Sequence, residues 1–266
     1  MSKSGTFGLL GLLLLTILLA PCFALDLGIS PPDIDFKINK GASYHGEIFI
    51  FGSETETTHV NIYKNDWTLT SAGNYQFLPV GIVKRSAASW ITLNVTQLSL
   101  PPKAGQTIDY TLTVPPDASG SYWAAIMFST IPETVSGKGQ IRVAVSGRVA
   151  YIMRIDVNGS PNGVASIERV NMYWDKERQK IVAAMRIKNS GSSFARFNGR
   201  LELRDSQGRI VKVLPFQDGL VLPDSYRDFY LKDYDFRFKP GFYVALSVAD
   251  LGDKSMKAVQ STLEIK

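Results

Sequence analysis

Cysteine occurs once in this chain, at Cys22, and histidine twice, at His45 and His59. Disulfide frameworks, thiolate metal sites and Cys–His nucleophile pairs therefore lack their raw material. No apolar stripe of 3.6-residue period is long enough for a major helix, which argues against bundles and doubly wound α/β folds. The chain has no G-x-S-x-G elbow, no Walker loop and no dinucleotide fingerprint, the usual marks of hydrolases, nucleotide-binding proteins and dehydrogenases. Charge of a single sign is lacking too. The 29 Lys and Arg stand against 24 Asp and Glu, a net +5 that leaves a mixed surface, not the basic footprint of a nucleic-acid binder. These absences predict no enzyme, no cofactor, no metal and no nucleic-acid partner.

What is present begins with one apolar run. Lys3 precedes a Leu-rich stretch from Phe7 to Ala20, Pro21 breaks any helix, and Cys22-Phe23-Ala24 puts small residues where signal peptidase reads. Residues 1–24 are read as a cleaved secretory signal peptide, with the mature chain starting near Leu25. The run is shorter than the roughly 20 apolar residues of a membrane anchor. Acylation of Cys22 is the rival reading, and the proline just before it is poorly suited to that cleavage. The mature chain is then free of thiols and of any transmembrane span, and is expected to be periplasmic or otherwise extracytoplasmic. Its roughly 240 residues suit two domains, each large enough to bury a core without disulfides.

Beyond Leu25 the pattern is β. Ile34–Ile38, Glu47–Phe51, His59–Tyr63 and Thr107–Val114 alternate apolar and polar residues, as half-buried strands do. Turn chemistry separates them at Lys40-Gly41, Ser71–Asn74, Pro101–Gly105 and Pro115-Pro116-Asp117. Asn158–Gly163 is a run of small turn formers and marks a linker, after which the strand rhythm resumes. Val170–Trp174, Ile181–Ile187, the hairpin around Asp205–Gly208, Phe242–Val248 and Val259–Ile265 follow. The expected fold is all-β: two immunoglobulin-like β-sandwiches in tandem, residues 25–158 and 159–266.

One segment exceeds ordinary strand length. From Ile141 to Val157 every odd position except Gly147 is large and apolar, while Arg142, Arg148, Arg154 and Asp156 lie at even ones. Unbroken, it would run on the order of 55 Å, against a usual strand of about five or six residues. It must bend at Gly147 or run past its own sheet.

Other features have modest readings. Both histidines are placed on sheet surfaces. Gly137-Lys138-Gly139 is a hairpin tip, because no helix follows it. Asp224, Asp228, Asp233 and Asp235 fit no calcium loop and are interleaved with Arg227, Lys232 and Arg237, so a charge-paired strand face is expected. Asn94-Val95-Thr96 and Asn158-Gly159-Ser160 match the glycosylation sequon. Trp67, Trp90, Trp123 and Trp174 are expected in sandwich cores, with a glycan-stacking platform as the alternative.

Several motifs, in order, carry a resemblance: Pro31-Pro32-Asp33-Ile34-Asp35-Phe36, Leu100–Gln106, Ser121-Tyr122-Trp123 through Ile131-Pro132-Glu133, and the long strand from Ile141. The first domain resembles the N-terminal domain of PapD-like periplasmic pilus-assembly chaperones. Ala249-Asp250-Leu251-Gly252 stands where those chaperones carry Asn-Asp-Tyr-Gly. The resemblance implies an edge strand that completes an exported, β-rich subunit, with Ile141, Val143 and Val145 inserted. The competing account of the odd face is that it packs on the chain's own core. It also implies an interdomain pair, Arg154 with Asp250. The family's carboxylate-anchoring arginine and lysine fall on Asp33 and Ala150, neither of which can play that part.

Through Lys37-x-Asn39-x-Gly41 and the turns Pro101-Pro102-Lys103 and Pro115-Pro116-Asp117, the first domain also resembles that of Gram-positive WxL-interacting proteins, envelope proteins implicated in binding peptidoglycan and protein partners. The expected partner is therefore an exported subunit or surface protein, held along 141–157, or in the alternative peptidoglycan, for a structural or adhesive role.

Overall fold

The computed structural model describes residues 27–131, 146–161, 163–252 and 256–266. The first sandwich contains Gly28–Ser30 (β1), Asp33–Ile38 (β2), Ser43–Phe51 (β3), Thr58–Leu69 (β4) and Tyr75–Leu78 (β5). Ile91–Leu93 (β6), Gln97–Leu100 (β7), Gly105–Thr113 (β8), Ser121–Thr130 (β9) and Arg148–Val157 (β10) complete it. One sheet runs β1-β3-β8-β6 and the other β2-β10-β9-β4-β5, with β7 also on β4. The second sandwich contains Ala165–Asp175 (β11), Lys180–Asn189 (β12), Ala195–Arg204 (β13), Ile210–Pro215 (β14), Gly219–Val221 (β15), Ser225–Tyr230 (β16), Gly241–Asp250 (β17) and Met256–Ile265 (β18). Its sheets run β11-β12-β16 and β14-β13-β17-β18, with β15 on β13.

Period-two patterning decides which face each strand buries. In β3 Gly46, Ile48 and Ile50 point inward while His45, Glu47, Phe49 and Phe51 face solvent. In β13 Ala195, Phe197, Gly199, Leu201 and Leu203 are buried, four of them against the second core. At Ser30–Pro31, a cis peptide, the chain leaves one sheet for the other: β1 pairs with β3, whereas β2 runs parallel to β10. The first core gathers Ile48, Ile50, Ile108, Leu112, Phe128, Met153 and Ile155. In it the Tyr110 and Tyr151 hydroxyls meet at 3.1 Å. The second core centres on Met185, Phe197, Leu201 and Phe229, the two Phe rings stacked at 4.1 Å.

A third apolar cluster joins the two sandwiches. Trp67, Trp123, Met127 and Ile152 from the first bury Leu222 from the second, with Phe194 and Leu220 packed alongside. The Trp67 indole donates to the Ala124 carbonyl at 3.0 Å and that of Trp123 to the Trp67 carbonyl at 2.6 Å. Trp67 and Trp123 thus lie between the sandwiches and not inside one, and being buried they offer no glycan platform.

The long-edge expectation needs correction. Residues 141–145, with Ile141, Val143 and Val145, lie outside the described residues. Within β10, residues 152–157 are flanked by β9 on one side and β2 on the other, so most of this strand is internal. Its odd residues from Val149 to Val157 pack on the strand's own core. The even residues Ala150 and Ile152 belong to the interdomain cluster instead of facing solvent. Two buried faces explain why the strand is apolar at both parities over this stretch.

Candidate functional site: the free start of β10 and the interdomain cleft

β10 begins four residues before its parallel neighbour. Its pairing with β9 starts at Arg148↔Ser129, but that with β2 only at Ile152↔Asp33. The Ile152 N–H donates to the Pro32 carbonyl at 3.1 Å, which fixes the side on which even-numbered backbone groups point. The Gly147 carbonyl accepts from Thr130 N–H on the β9 side, at 3.0 Å, as the alternation requires. The backbone groups of Arg148 and Ala150 therefore point to the side of β2, where no strand of the described residues pairs with them. Arg148 is exposed and Ala150 half-buried. This is a short stretch of open sheet edge.

Beside the same strand lies a cleft of about 520 Å³, walled by both sandwiches. Leu69, Gly73, Tyr75 and Arg154 line it from the first, and Arg196, Leu220, Arg227 and Asp250 are among its residues from the second. The expected Arg154–Asp250 pair is replaced by another arrangement. The parallel register sets Arg154 opposite Asp35, and its guanidinium donates to Asp35 through Nε and to Asp33 through Nη2, the latter at 2.5 Å. With both carboxylates on the adjacent strand, Arg154 has no need of Asp250, whose oxygen accepts from the Gly252 N–H at 2.9 Å.

The bridge between domains is made by Asp35, which also accepts from Arg196 Nη2 at 2.9 Å. Burial acts to raise the Asp35 carboxyl, but Arg154 and Arg196 outweigh it and hold it below its usual value. Burial likewise works against the Arg154 cation, and Asp33 with Asp35 raises it above its ordinary range. Sequence reading missed Asp35, although it stands inside the Pro31–Phe36 motif. Its partners are 119 and 161 residues away, one reached by parallel pairing and one across the domain junction, and neither leaves a local trace.

Asp33 and Ala150 offer no cation to the cleft. Asp33 is neutralised by Arg154, and Ala150 packs in the interdomain cluster. Two carboxylates of the acidic cluster in the second sandwich are charge-paired: Arg186 holds Asp228 through two bonds of 2.7 Å, and Lys180 pairs with Asp233. Among the described residues no group of His, Cys, Asp and Glu could hold a metal, and no helix is long and apolar enough to cross a membrane.

No family model and no curated protein matches the chain. Similar solved structures include a chaperone–tip adhesin complex of CFA/I fimbriae biogenesis, at 13% identity, covering 87% of this chain and 97% of that one, TM-score 0.48. Another is the CsuC–CsuE chaperone–tip adhesion subunit complex of archaic chaperone-usher Csu pili from Acinetobacter baumannii, at 13% identity, 88% and 97% coverage, TM-score 0.43. The E. coli chaperone DraB is similar at 10% identity, 91% and 98% coverage, TM-score 0.43. The chain is thus similar to fimbrial chaperones, the kind of protein its sequence resembles. At such identities the likeness assigns neither a residue nor a partner.

Proposed function

We propose that this chain is an exported, non-enzymatic binding protein of chaperone-like type, which holds an exported β-rich protein by adding its β10 edge to that partner. The observation that carries this reading is the four-residue head start of β10 over β2. Arg148 and Ala150 offer N–H and C=O groups at strand spacing on a side where no strand of the described residues pairs with them, and an incoming extended segment satisfies them. The rest of β10 is locked between β9 and β2 and anchored in two cores, so the edge is presented rigidly. A preordered edge loses little conformational entropy when a partner strand docks. Residues 1–24 serve as the export signal in this reading, and the partner is met outside the cytoplasm.

The test is Ala150→Pro. The Ala150 N–H points away from β9, so proline removes a donor that no strand of the described residues uses and that a partner strand would. Affinity purification from the native envelope should recover an exported β-rich protein with the unaltered chain and lose it with Ala150→Pro, while circular dichroism stays unchanged. Equal recovery with both chains would sink strand addition at this edge.

A further inference from the structure

A second cleft, about 560 Å³ in volume, opens in the second sandwich between the β11–β12 turn and segment 232–240. Lys180 opens β12, and Asn189 closes it beside Val221, next to the junction residues Leu220 and Leu222. At strand rise the cleft therefore stands about 30 Å from the domain junction. Segment 232–240 joins no sheet; its half-buried Tyr234, Phe236 and Phe238 alternate with exposed Asp235 and Arg237. The Tyr234 hydroxyl ties the segment to both main-chain groups of Ile181, and the Trp174 indole donates to the Lys266 carbonyl at 3.0 Å. Trp174, Tyr234 and Phe238 pack on the second core, whereas Phe236 lies outside that cluster, against Phe238 at 4.7 Å. Three cations and one carboxylate line the cleft: Arg178, Lys180, Arg237 and Asp235. Lys180 is committed to Asp233. Arg178 is 77% exposed and reaches Asp175 only at 3.8 Å, too far for a hydrogen bond. Neither Arg237 nor Asp235 has an oppositely charged group of the described residues within ion-pair distance. Lys212, which rests 4.8 Å from the Phe236 ring, adds positive charge beside them.

We propose that this far-end cleft binds a phosphorylated sugar. A phosphate monoester carries close to two negative charges and three acceptor oxygens, which suits the two guanidinium groups with unused donors, Arg178 and Arg237. The C–H groups of a sugar ring are slightly positive and meet the negative faces of an aromatic wall, here Trp174, Phe236 and Phe238. Asp235 accepts from a sugar hydroxyl, and it disfavours a bare anion that has no donor to offer. The site needs nothing from the β10 edge or the domain junction, so it stands or falls separately from strand addition.

The experiment titrates the exported chain with glucose phosphorylated on its primary hydroxyl, with glucose and with inorganic phosphate, at fixed ionic strength. Calorimetry gives the affinities, and NMR of the indole N–H groups gives the location. The sugar phosphate should bind saturably, about tenfold or more tighter than glucose or phosphate alone. The Trp174 indole resonance should shift, while those of Trp67 and Trp123 at the domain junction stay in place. Arg237→Gln should weaken the sugar phosphate by about tenfold or more. Phe236→Ala should weaken it too, but leave inorganic phosphate unchanged. Arg237 is exposed and Phe236 lies outside the core cluster, so both variants should keep the fold. Sedimentation with phosphatidylcholine vesicles carrying a phosphorylated glucosamine headgroup, and not with plain ones, names a lipid as the source; binding of the free sugar phosphate alone names a soluble one. No saturable binding, equal affinity for inorganic phosphate, a shift at Trp67 or Trp123 without one at Trp174, or undiminished affinity in Arg237→Gln would overturn the proposal. Should a variant fail to fold, the comparison of the three ligands on the unaltered chain still decides.

Discussion

Asp35 of the first sandwich accepts a hydrogen bond from Arg196 of the second at 2.9 Å, while its other oxygen is held by Arg154 of its own sheet. One carboxylate thereby fastens a strand pairing and a domain junction at once. Because the two cations hold its folded-state value below the unfolded one, its contribution is complete above about pH 4, the unfolded carboxylate range. It is lost as pH falls through the depressed folded value. Junction stability, followed by amide exchange of residues 194–198, should therefore weaken as pH drops below about 4. In Asp35→Asn the junction should be weakened already at neutral pH, and this part of the acid dependence should vanish. An unaltered acid profile in Asp35→Asn would show that the bridge contributes nothing.

The apolar seam predicts how the two sandwiches unfold. Leu222 is 3% exposed and packs with Trp67, Trp123 and Ile152 of the other sandwich. Leu222→Ala should cost roughly 2–5 kcal/mol, as deletions of buried leucine do. The loss should fall on the junction and not within either core. Calorimetry should resolve one transition in the unaltered chain and two in Leu222→Ala. A uniform drop of a single transition would place Leu222 within the second core instead.

Much of the fold was legible because alternation reports burial directly. The strands, the Asp205–Gly208 hairpin and the turn-rich run from Asn158 follow from local residue types alone. What alternation cannot report is the identity of the covering surface. Trp67 and Trp123 look the same in sequence whether a facing sheet or a second domain covers them. Ile152, at an even position of the long pattern, was the one sign that this strand buries both faces. The strand's end-to-end pattern also concealed β2, which pairs with its second half and turns most of an expected edge into interior. Arg154 was expected to pair with Asp250 across the domains, but its carboxylate partners lie on β2 of its own sheet, a parallel register that the sequence does not display.

Asp66 predicts a local effect. It is fully buried, and its carboxylate accepts from Gly81 N–H at 2.9 Å, Val83 N–H at 2.8 Å and the Ser86 hydroxyl. These bonds fasten the 79–87 segment beside the Trp67–Trp123 cluster. Asp66→Ala leaves the donors without their acceptor, at about 1–3 kcal/mol for each group that stays buried. Amide exchange at Gly81 and Val83 should accelerate far more than in β8 on the opposite sheet. Equal acceleration in both places would mean that the substitution lowers global stability without freeing the loop.

Gly120 tests the second seam, where backbones of the two sandwiches touch. Ser121 N–H donates to the Ser192 carbonyl at 2.9 Å, and Phe194 N–H to the Ser121 hydroxyl at 2.7 Å. Gly120 has φ near +90°, and a Cβ there would overlap the Ser192 carbonyl, a main-chain group that cannot swing aside. Gly159 has φ near +77° with nothing within 4 Å of such a Cβ. Alanine at either position incurs the left-handed backbone cost of roughly 1–3 kcal/mol, but only Gly120→Ala must also force the domains apart. Urea denaturation should show Gly120→Ala as the less stable of the two, and Gly120→Ala combined with Leu222→Ala should be less than additive because both loosen one junction. Equal losses at Gly120 and Gly159 would leave the backbone conformation as the whole effect and remove the 120–121 seam from the account of how the domains are held.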